Sequence, residues 1–289
     1  DRVEVANHEE PNDEAQSVHW PDIITHAIDK DTGGHVGNIS KTAVVKDKVT
    51  VKNLIPGMKY TITGTLHFQT DIYDNNGNIV HHKGDTVQMN GEDITATKEF
   101  TANAANEEHV LQFTVDSTVL EGVTVVAFEK LYHPENNTGT LIEVVQHEDL
   151  NDEEQSVHYP RIGTIASDGI TLDNVGATEQ NTITDVVELW NLIPGQKYKL
   201  KGTIMDKETG EALVVNGNTI TADTGWFTVE TWQSDYAQKE IVFDIDASEL
   251  DGKTVVCFEK LFTPQEDDWT ETDKDPIVEV EITNHEEIT

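Results

Sequence analysis

The sequence contains very little cysteine and few basic residues. Its single cysteine, Cys257, lies inside the hydrophobic run TVVCFEK, so we expect it to be a buried core residue. A disulfide within one chain is excluded. Lys and Arg number 19 against 55 Asp and Glu, giving a formal net charge of −36. This charge argues against nucleic acid and anionic membrane surfaces as partners.

Long amphipathic helix patterns, transmembrane runs and sorting motifs are also missing from the sequence. Apolar and polar residues instead alternate with period 2, which predicts strands. Turn sequences such as DTGG, DNNGN and two copies of IPG separate them,. Short strands at this spacing predict an all-β fold of immunoglobulin-like sandwiches. The predicted strands cover residues 44–53, 59–68, 109–116, 123–132, 140–147, 182–191, 197–205, 240–247, 254–262 and 277–284.

An internal repeat with a spacing of about 139 residues divides the chain. We expect one domain at 21–159, called unit one, and a second at 160–289, called unit two, in tandem as a rod. The segment SVHYP at 156–160 would join them. Residues 3–19 resemble 144–158, so residues 1–20 are predicted to be the last strand and linker of a preceding repeat. The chain is then expected to be a mature fragment of something longer.

Each unit places polar residues on strand faces that are otherwise apolar. In 44–53, Asp47 shares a face with Val45 and Val49,. Buried polar groups cost several kcal/mol unless they are paired, so these need a joint explanation. The inward residues are Thr25, Asp47 and Glu129 in unit one and Thr164, Asp185 and Glu259 in unit two, with His147 and His285 on the last strand of each unit.

These residue types can carry out acyl transfer. Two carboxyls close together in an apolar core share one proton, and the protonated acid can polarise a carbonyl by donating a hydrogen bond. A histidine near a threonine hydroxyl can act as its general base. An electrophile follows His147 at a distance of eight residues: Gln155. The N-terminal segment has the same spacing, from His8 to Gln16.

Three motifs carry a family resemblance: VAFE at 126–129, VCFE at 256–259 and HEDLNDEEQSV at 147–157. The units resemble the Thr–Gln ester-bond domains, also called VaFE repeats, of surface adhesins from Gram-positive bacteria. The cysteine in VCFE and the glutamate in HEE at 285–287 depart mildly from the family pattern.

The resemblance implies a self-made crosslink in unit one. Thr25 is the expected nucleophile, and Gln155 is the amide that it attacks with release of ammonia. His147 is the expected base, and Asp47 and Glu129 are the expected proton-sharing pair.

In unit two the resemblance assigns the same roles to Thr164, Asp185, Glu259 and His285. The matching glutamine is expected near position 293, whereas the chain stops at Thr289. Three explanations stay open. The natural chain is longer, or unit two cannot close its own bond, or Gln16 of one molecule reacts with Thr164 of another when residues 1–16 add as a strand.

The implied function is a structural stalk module of an adhesin, extracellular and anchored to the cell wall of a Gram-positive bacterium. We expect no turnover enzyme, no cofactor, no metal and no membrane insertion. The expected partners are neighbouring repeats of the same protein, with a host ligand bound by an absent distal domain, and end-to-end self-association through residues 1–16 is a further expectation. An ester would withstand shear and proteases without cysteines.

Three alternatives compete with this interpretation. A Lys–Asn isopeptide scaffold would need a lysine where Thr25 and Thr164 stand. A passive ligand- or carbohydrate-binding sandwich would hold calcium in the loops DKDTGG or DIYDNNGN, although these sequences are also typical of turns,. A hydrolase would use Thr, His and Asp, but the sequence shows no signal of a substrate pocket.

Overall fold

The computed structural model describes residues 10, 13–177, 180–230 and 237–286. Within these residues the chain is almost entirely β-structure, in two tandem sandwiches, which confirms the predicted fold class. Each predicted strand is present, with its ends shifted by at most three residues. None of the helices in this part of the chain is long and apolar enough to cross a membrane.

The elements of unit one, in chain order, are the following. Its strands are β1 (Asp22–Asp29), β2 (Ala43–Lys52), β3 (Lys59–Phe68), β4 (Ile72–Tyr73), β5 (Ile79–His81), β6 (Gln88–Met89), β7 (Glu92–Asp93), β8 (Thr95–Thr101), β9 (Glu107–Val115), β10 (Thr124–Pro134), β11 (Leu141–His147) and β12 (Ser156–His158). Short 3₁₀ helices lie at Glu14–Gln16, Ser117–Val119 and Glu153–Gln155.

Unit two repeats this order. Its strands are β13 (Arg161–Asp168), β14 (Gln180–Trp190), β15 (Lys197–Asp206), β16 (Val214–Val215), β17 (Asn218–Thr219), β18 (Thr221–Asp223), β19 (Phe227–Thr228), β20 (Ala237–Asp246), β21 (Val255–Pro264), β22 (Glu266–Asp267), β23 (Thr272–Asp273) and β24 (Glu279–His285), with a 3₁₀ helix at Ala247–Glu249.

Two antiparallel sheets form the sandwich of unit one. The smaller has the order β1–β2–β9, and the larger has the order β11–β10–β3–β8, with β12 paired to β10. Every second residue of β2 is buried, as its alternating sequence predicts,. Gly64 allows the sheets to approach closely, because a Cβ there would lie 2.7 Å from Cζ of Phe113. The apolar core therefore lies between the sheets, together with the polar residues on their inner faces.

Unit two has the same two sheets, ordered β13–β14–β20 and β18–β15–β21–β24. Gly202 occupies the position that Gly64 has in unit one, and a Cβ there would lie 2.4 Å from Cζ of Phe243. The pairing of β21 with β24 shifts register at Leu261, as the pairing of β10 with β11 does at Leu131. The polar residues of the two units are therefore carried by matching backbone positions.

The segment at 156–160 is not the simple linker that the sequence suggested. Ser156–His158 is strand β12, and it pairs with β10. Val157 and Tyr159 are completely buried. The Tyr159 ring packs against Gly37, where a Cβ would come within 2.4 Å of it. Because alternate residues of this segment are apolar, it pairs as a strand and completes the core of unit one.

Strands β1 and β2 and the loop between them contact unit two. Thr32 accepts a hydrogen bond from the backbone N–H of Glu266 at 2.7 Å, through its carbonyl oxygen. Trp269 donates its indole N–H to the carbonyl of His26 at 2.9 Å. The Lys46 ammonium lies 2.6 Å from a carboxylate oxygen of Asp268. The residues around the start of unit one are thus partly covered by the loops of unit two.

Candidate functional site

The site of unit one draws its residues from both sheets. Thr25 lies on β1 and Asp47 on β2 in the smaller sheet, and Glu129 lies on β10 in the larger sheet. Gln155 is the last residue of the 3₁₀ helix Glu153–Gln155. All four side chains are buried, with Thr25 4% exposed and the others completely inaccessible.

Strand register explains why these residues face one another. Asp47 is the cross-strand partner of Ala27, two residues along β1 from Thr25. Both side chains therefore point to the inner face of the smaller sheet. Glu129 points inward from the opposite sheet and interacts with both Asp47 and Thr25. Asp47 in turn interacts with the Gln155 side chain, so the structure brings the predicted nucleophile, amide and acid pair together.

His147 is the cross-strand partner of Glu129 at the end of β11. Its side chain is 28% exposed, and its Nε2 lies 2.8 Å from Oδ2 of Asp152. The carboxylate of Asp152 orients the imidazole, as the third member of a nucleophile–base arrangement does. The imidazole in turn acts on Asp47, where its charge lowers the pKa of the carboxyl.

Asp152 is a residue that the sequence analysis missed. Its Oδ1 also accepts the backbone N–H of Glu154 at 3.0 Å, which caps the 3₁₀ helix that carries Gln155,. One side chain thus contacts His147, the predicted base, and caps the helix that carries Gln155, the predicted electrophile. The signal was present in HEDLNDEEQSV, where this aspartate stands three residues before the glutamine.

The two carboxyls of the site have strongly perturbed pKa values. Burial raises the pKa of Asp47 to about 6, although contacts with Glu129 and Gln155 act in the opposite direction. Burial and the neighbouring Asp47 charge raise the pKa of Glu129 well above its usual value. Since two charges cannot be kept so close in an apolar core, the pair holds one shared proton near neutral pH.

Most polar atoms of this site lack a conventional hydrogen bond. Within the part of the chain that the structure describes, no partner with normal geometry is present for Thr25 Oγ1, both Gln155 amide atoms, or the carboxylate oxygens of Asp47 and Glu129. An unsatisfied buried polar group costs about 1–3 kcal/mol. Such a cluster in one place needs a specific explanation, and a catalytic role is one of those that apply to buried unsatisfied groups.

Unit two contains the corresponding acid pair. Asp185 and Glu259 are completely buried, and Glu259 is the cross-strand partner of His285. Burial raises the pKa of Glu259 to about 10 and raises the pKa of Asp185 as well. Thr164 interacts with Asp185. The structure therefore brings together all four residues assigned to unit two.

A cavity of about 390 Å³ in unit two is lined by Ala166 and Val255, which lie on the strands that carry Thr164 and Glu259. In unit one, the matching positions are covered by the segment after Gln155: Tyr159 donates its backbone N–H to Val123, Gly122 donates to Tyr159, and Gly37 donates to His158. The cavity of unit two is the counterpart of the groove that β12 and Tyr159 fill in unit one. The corresponding residues that line it are Gly176, Gly252, Lys253, Thr254 and Val255.

Gln16 lies in a segment with the same local structure as the Gln155 segment. Asp13 caps the 3₁₀ helix Glu14–Gln16 with its side chain, as Asp152 caps Glu153–Gln155. His19 Nε2 lies 3.0 Å from Glu14, and His158 Nε2 lies 3.0 Å from Glu153. The predicted strand at residues 1–16 otherwise falls mainly outside the described residues.

The segment after Gln16 is exposed to solvent, whereas the matching segment after Gln155 is buried. Val18 and Trp20 are 70% and 75% exposed, whereas their counterparts Val157 and Tyr159 are completely buried. The N-terminal segment thus presents to solvent the same apolar side chains that fill the groove of unit one.

Comparison with protein families gives one match, the T-Q ester bond containing domain, at residues 21–159 and again at 160–289. The chain belongs to this family. The match covers both sites described above, including the Thr25 and Gln155 pair. A comparison with curated proteins finds no match.

A comparison with solved structures finds matches of low sequence identity and low TM-score. A Mobiluncus mulieris adhesin with intramolecular disulfide, isopeptide and ester bond crosslinks shares 14% identity, over 84% of this chain and 80% of that chain, with a TM-score of 0.37. The major pilin subunit of Bacillus cereus shares 16% identity, over 91% of this chain and 66% of that chain, with a TM-score of 0.28. At these scores the likeness supports no argument about individual residues.

Proposed function

We propose that this T-Q ester bond protein is a structural stalk module of a bacterial surface adhesin, and that unit one closes an ester between Thr25 and Gln155. The observation that carries the proposal is the buried cluster of Thr25, Gln155, Asp47 and Glu129, whose side chains face one another without conventional hydrogen bonds. A passive sandwich would have no use for an arrangement that costs stability in this way. Membership of the family supports the same chemistry.

The reaction balances without any added reagent. The Thr25 Oγ attacks Cδ of the Gln155 side chain, and a new Oγ–Cδ bond forms. The Cδ–Nε2 bond then breaks. The threonine proton leaves with the nitrogen, so that ammonia is the only product released. The fold holds both reactants in place, which replaces a bimolecular encounter by an intramolecular step.

The acid pair and the histidine divide the proton transfers. The shared proton of Asp47 and Glu129 hydrogen-bonds the Gln155 carbonyl oxygen as negative charge develops on it. His147, oriented by Asp152, accepts the Thr25 proton and returns it to the leaving nitrogen. The reaction occurs once per unit, so the site has no turnover. Burial of the product excludes the water that would hydrolyse it.

The crosslink would protect a surface stalk against force. It joins β1 to the segment that follows β11, and therefore encloses the 129 residues between Thr25 and Gln155. A pulling force then passes through the ester and bypasses the sheets, which need not resist extension. This extracellular role, with cell-wall attachment in a Gram-positive bacterium and ligand binding by another domain, forms part of the proposal.

Intact mass spectrometry of the denatured protein tests the proposal. We expect a mass deficit of one ammonia relative to the sequence, and we expect Thr25→Ala or Gln155→Ala to abolish the deficit. Thr164→Ala is the matched control, because it alters the equivalent threonine of unit two and should leave the deficit of unit one unchanged. A wild-type mass equal to the sequence mass would contradict the proposal and leave a passive binding sandwich.

For unit two we propose a second reaction, in which Gln16 of one molecule joins Thr164 of another. Two observations support it: the cavity of about 390 Å³ in unit two, lined in part by the strand that carries Thr164, and the exposed Val18 and Trp20 in a segment shaped like 152–159. The segment would enter the cavity as an added strand, with its two apolar side chains filling the groove.

A concentration series on a denaturing gel tests this second reaction. Incubated at high concentration, the full chain should form a covalent ladder that resists boiling. Gln16→Ala and Thr164→Ala should each remove the ladder and preserve the single-unit mass deficit. A ladder that survives Gln16→Ala, or no ladder at any concentration, would overturn the second reaction without affecting the first.

A further inference from the structure

We propose that His26, His35 and Glu154 of unit one form a binding site for a divalent transition metal such as Zn²⁺. These residues come from β1, from the loop that follows it, and from the 3₁₀ helix that carries Gln155. One ligand atom from each lies within 4.8 Å of the other two. Two imidazoles with one carboxylate form a donor set that Zn²⁺ and related metals prefer.

The distance between the ligand atoms of His26 and Glu154 fits a shared metal ion. Nδ1 of His26 lies 3.2 Å from Oε2 of Glu154. Two ligand atoms that bind one tetrahedral Zn²⁺ at bond lengths of about 2.0–2.2 Å are separated by about 3.3 Å. Glu154 is 57% exposed on its side chain, so it can adjust toward the third ligand without disturbing the core.

His35 is held as a metal-binding histidine usually is. Its Nδ1 lies 2.8 Å from the carbonyl oxygen of Ser156. A carbonyl only accepts, so Nδ1 carries the proton and Nε2 keeps its lone pair free. Donation from the second ring nitrogen to a backbone carbonyl fixes the tautomer and ring orientation of metal-ligating histidines.

The surroundings of the His26 ring differ from those of His35. Its ring stacks on that of His35, with 5.1 Å between centroids and an interplanar angle of 4°. Nδ1 of His26 faces the Glu154 carboxylate, while its Nε2 is buried without a hydrogen-bond partner among the described residues.

The surroundings favour a cation. A cavity of about 390 Å³ opens beside His35 and Glu154, and the carboxylates of Glu153, Glu266 and Glu271 also line it. No Lys or Arg lines this cavity among the described residues. Two of these glutamates belong to unit two, so a bound metal would also neutralise repulsion between carboxylates at the contact between the units.

Unit two does not repeat the set. Ile165 and Asn174 occupy the positions that match His26 and His35, and the paired Thr32 and Thr171 hydrogen bonds fix this alignment of the two loops. The Thr, Asp, Glu and His of the ester site recur in both units, whereas the two histidines of the metal set do not. The set is therefore separate from the chemistry that the units share.

A metal here would tie together the segments that carry the two reactants. His26 follows Thr25 directly, and Glu154 precedes Gln155. The metal would link β1 to the 3₁₀ helix on the side away from the acid pair. It would add to the stability of the folded unit by binding the native arrangement and not the unfolded chain.

Titration of the untagged full chain with Co²⁺ tests the proposal, because Co²⁺ reports its ligand field by visible absorption. We expect one saturable site, displaced by Zn²⁺ and not by Ca²⁺ or Mg²⁺. His26→Ile and His35→Asn, which install the residues of unit two, should each weaken Co²⁺ binding at least tenfold. Glu154→Gln, at an exposed position, should do the same without disturbing the fold.

His82→Asn is the matched control. His82 lies 3.8 Å from the carboxylate of Asp71 and is 71% exposed on its side chain, so it offers a histidine–carboxylate pair without the second imidazole. Its loss should leave Co²⁺ binding unchanged. Co²⁺ binding that is absent, or equally strong in Glu154→Gln and the wild type, would overturn the metal site. Neither result depends on whether the ester forms.

Discussion

Glu129 and His147 are direct cross-strand partners between β10 and β11. This register places a completely buried carboxyl beside an imidazole that reaches solvent, at the point where β11 ends and the Gln155 segment begins. Glu259 and His285 have the same relationship in unit two. In each unit a buried glutamate therefore lies directly beside the histidine that ends the last strand of the larger sheet.

Removal of the nucleophile should lower the stability of unit one. The ester would enclose a loop of about 130 residues, and by the chain-entropy argument used for disulfides such a closure stabilises by about 5 kcal/mol. We expect Thr25→Ala to lower the free energy of unfolding in urea by about this amount. The replacement of one buried hydroxyl contributes at most about 1–3 kcal/mol of the change.

Thr164→Ala serves as the comparison for this stability prediction. It makes the same chemical change at the matching position of unit two, on strand β13. A loss of stability equal to that of Thr25→Ala would show that the hydroxyl itself, and not a crosslink, accounts for the effect.

The stability of the uncrosslinked protein should fall as the pH rises. In the folded protein burial raises the pKa of Asp47 to about 6, above its unfolded value, and that of Glu129 is raised further; we expect both pKa values to stay raised in Thr25→Ala. The folded state thus binds protons more tightly, so its stabilisation is complete below about pH 4 and is lost as pH rises through the folded-state values. We expect a loss of about 1–3 kcal/mol between about pH 5 and pH 8.

A second substitution isolates the contribution of the pair, because burial also raises the pKa of Asp29, to about 7. In the Thr25→Ala background, Asp47→Asn removes one of the two charges and should flatten the pH dependence measured by urea unfolding. An unchanged slope would assign the pH dependence to Asp29 or other groups.

The buried segment after Gln155, which contains β12 and Tyr159, should control how fast the ester forms. Tyr159 is completely buried against Gly37, and truncation of a buried aromatic residue costs about 3–5 kcal/mol. We expect Tyr159→Ala to release β12 and to slow the appearance of the ammonia deficit in freshly refolded protein. Trp20→Ala changes the matching residue of the exposed N-terminal segment and should leave the rate unchanged. Equal rates of ester formation in the wild type, Tyr159→Ala and Trp20→Ala would show that burial of Tyr159 does not control the reaction.

The Cys257 thiol should be unreactive in the folded protein. Burial raises the pKa of this thiol, and the neighbouring Asp185 and Glu259 raise it further. We expect no labelling by a thiol reagent near neutral pH and complete labelling after denaturation. Because unit one has Ala127 at the same position, Cys257→Ala should fold normally. Rapid labelling of the native protein would show that unit two opens around its acid pair.

Much of the fold was predictable because the sequence alternates strongly. The inward positions of Asp47 and Glu129 followed from the valines that flank them, and strand pairing then brought these residues together across the core. The β8 strand was missed, since TATKEFT lies at a sheet edge and has only Ala96 and Phe100 as partly buried apolar residues. Edge strands form through backbone pairing, which leaves little trace in the pattern of side chains.

Other features depend on contacts that are distant in sequence. Residues 156–160 were interpreted as a linker, because five residues cannot show that a groove formed by Gly37 and Val123 receives them. The role of Asp152 required the geometry of a 3₁₀ cap. The grouping of His26 with His35 and Glu154 spans more than a hundred residues, and only the folded chain brings these side chains together.

Peptide mapping of the wild-type protein tests the central claim most directly. After digestion under denaturing conditions, the account predicts one branched peptide in which Thr25 is joined to Gln155, lighter than its two components by one ammonia. Mild base should split it into a peptide with Thr25 and a peptide with glutamate at position 155. Recovery of both segments only as separate, unmodified peptides, with Gln155 still an amide, would contradict the account.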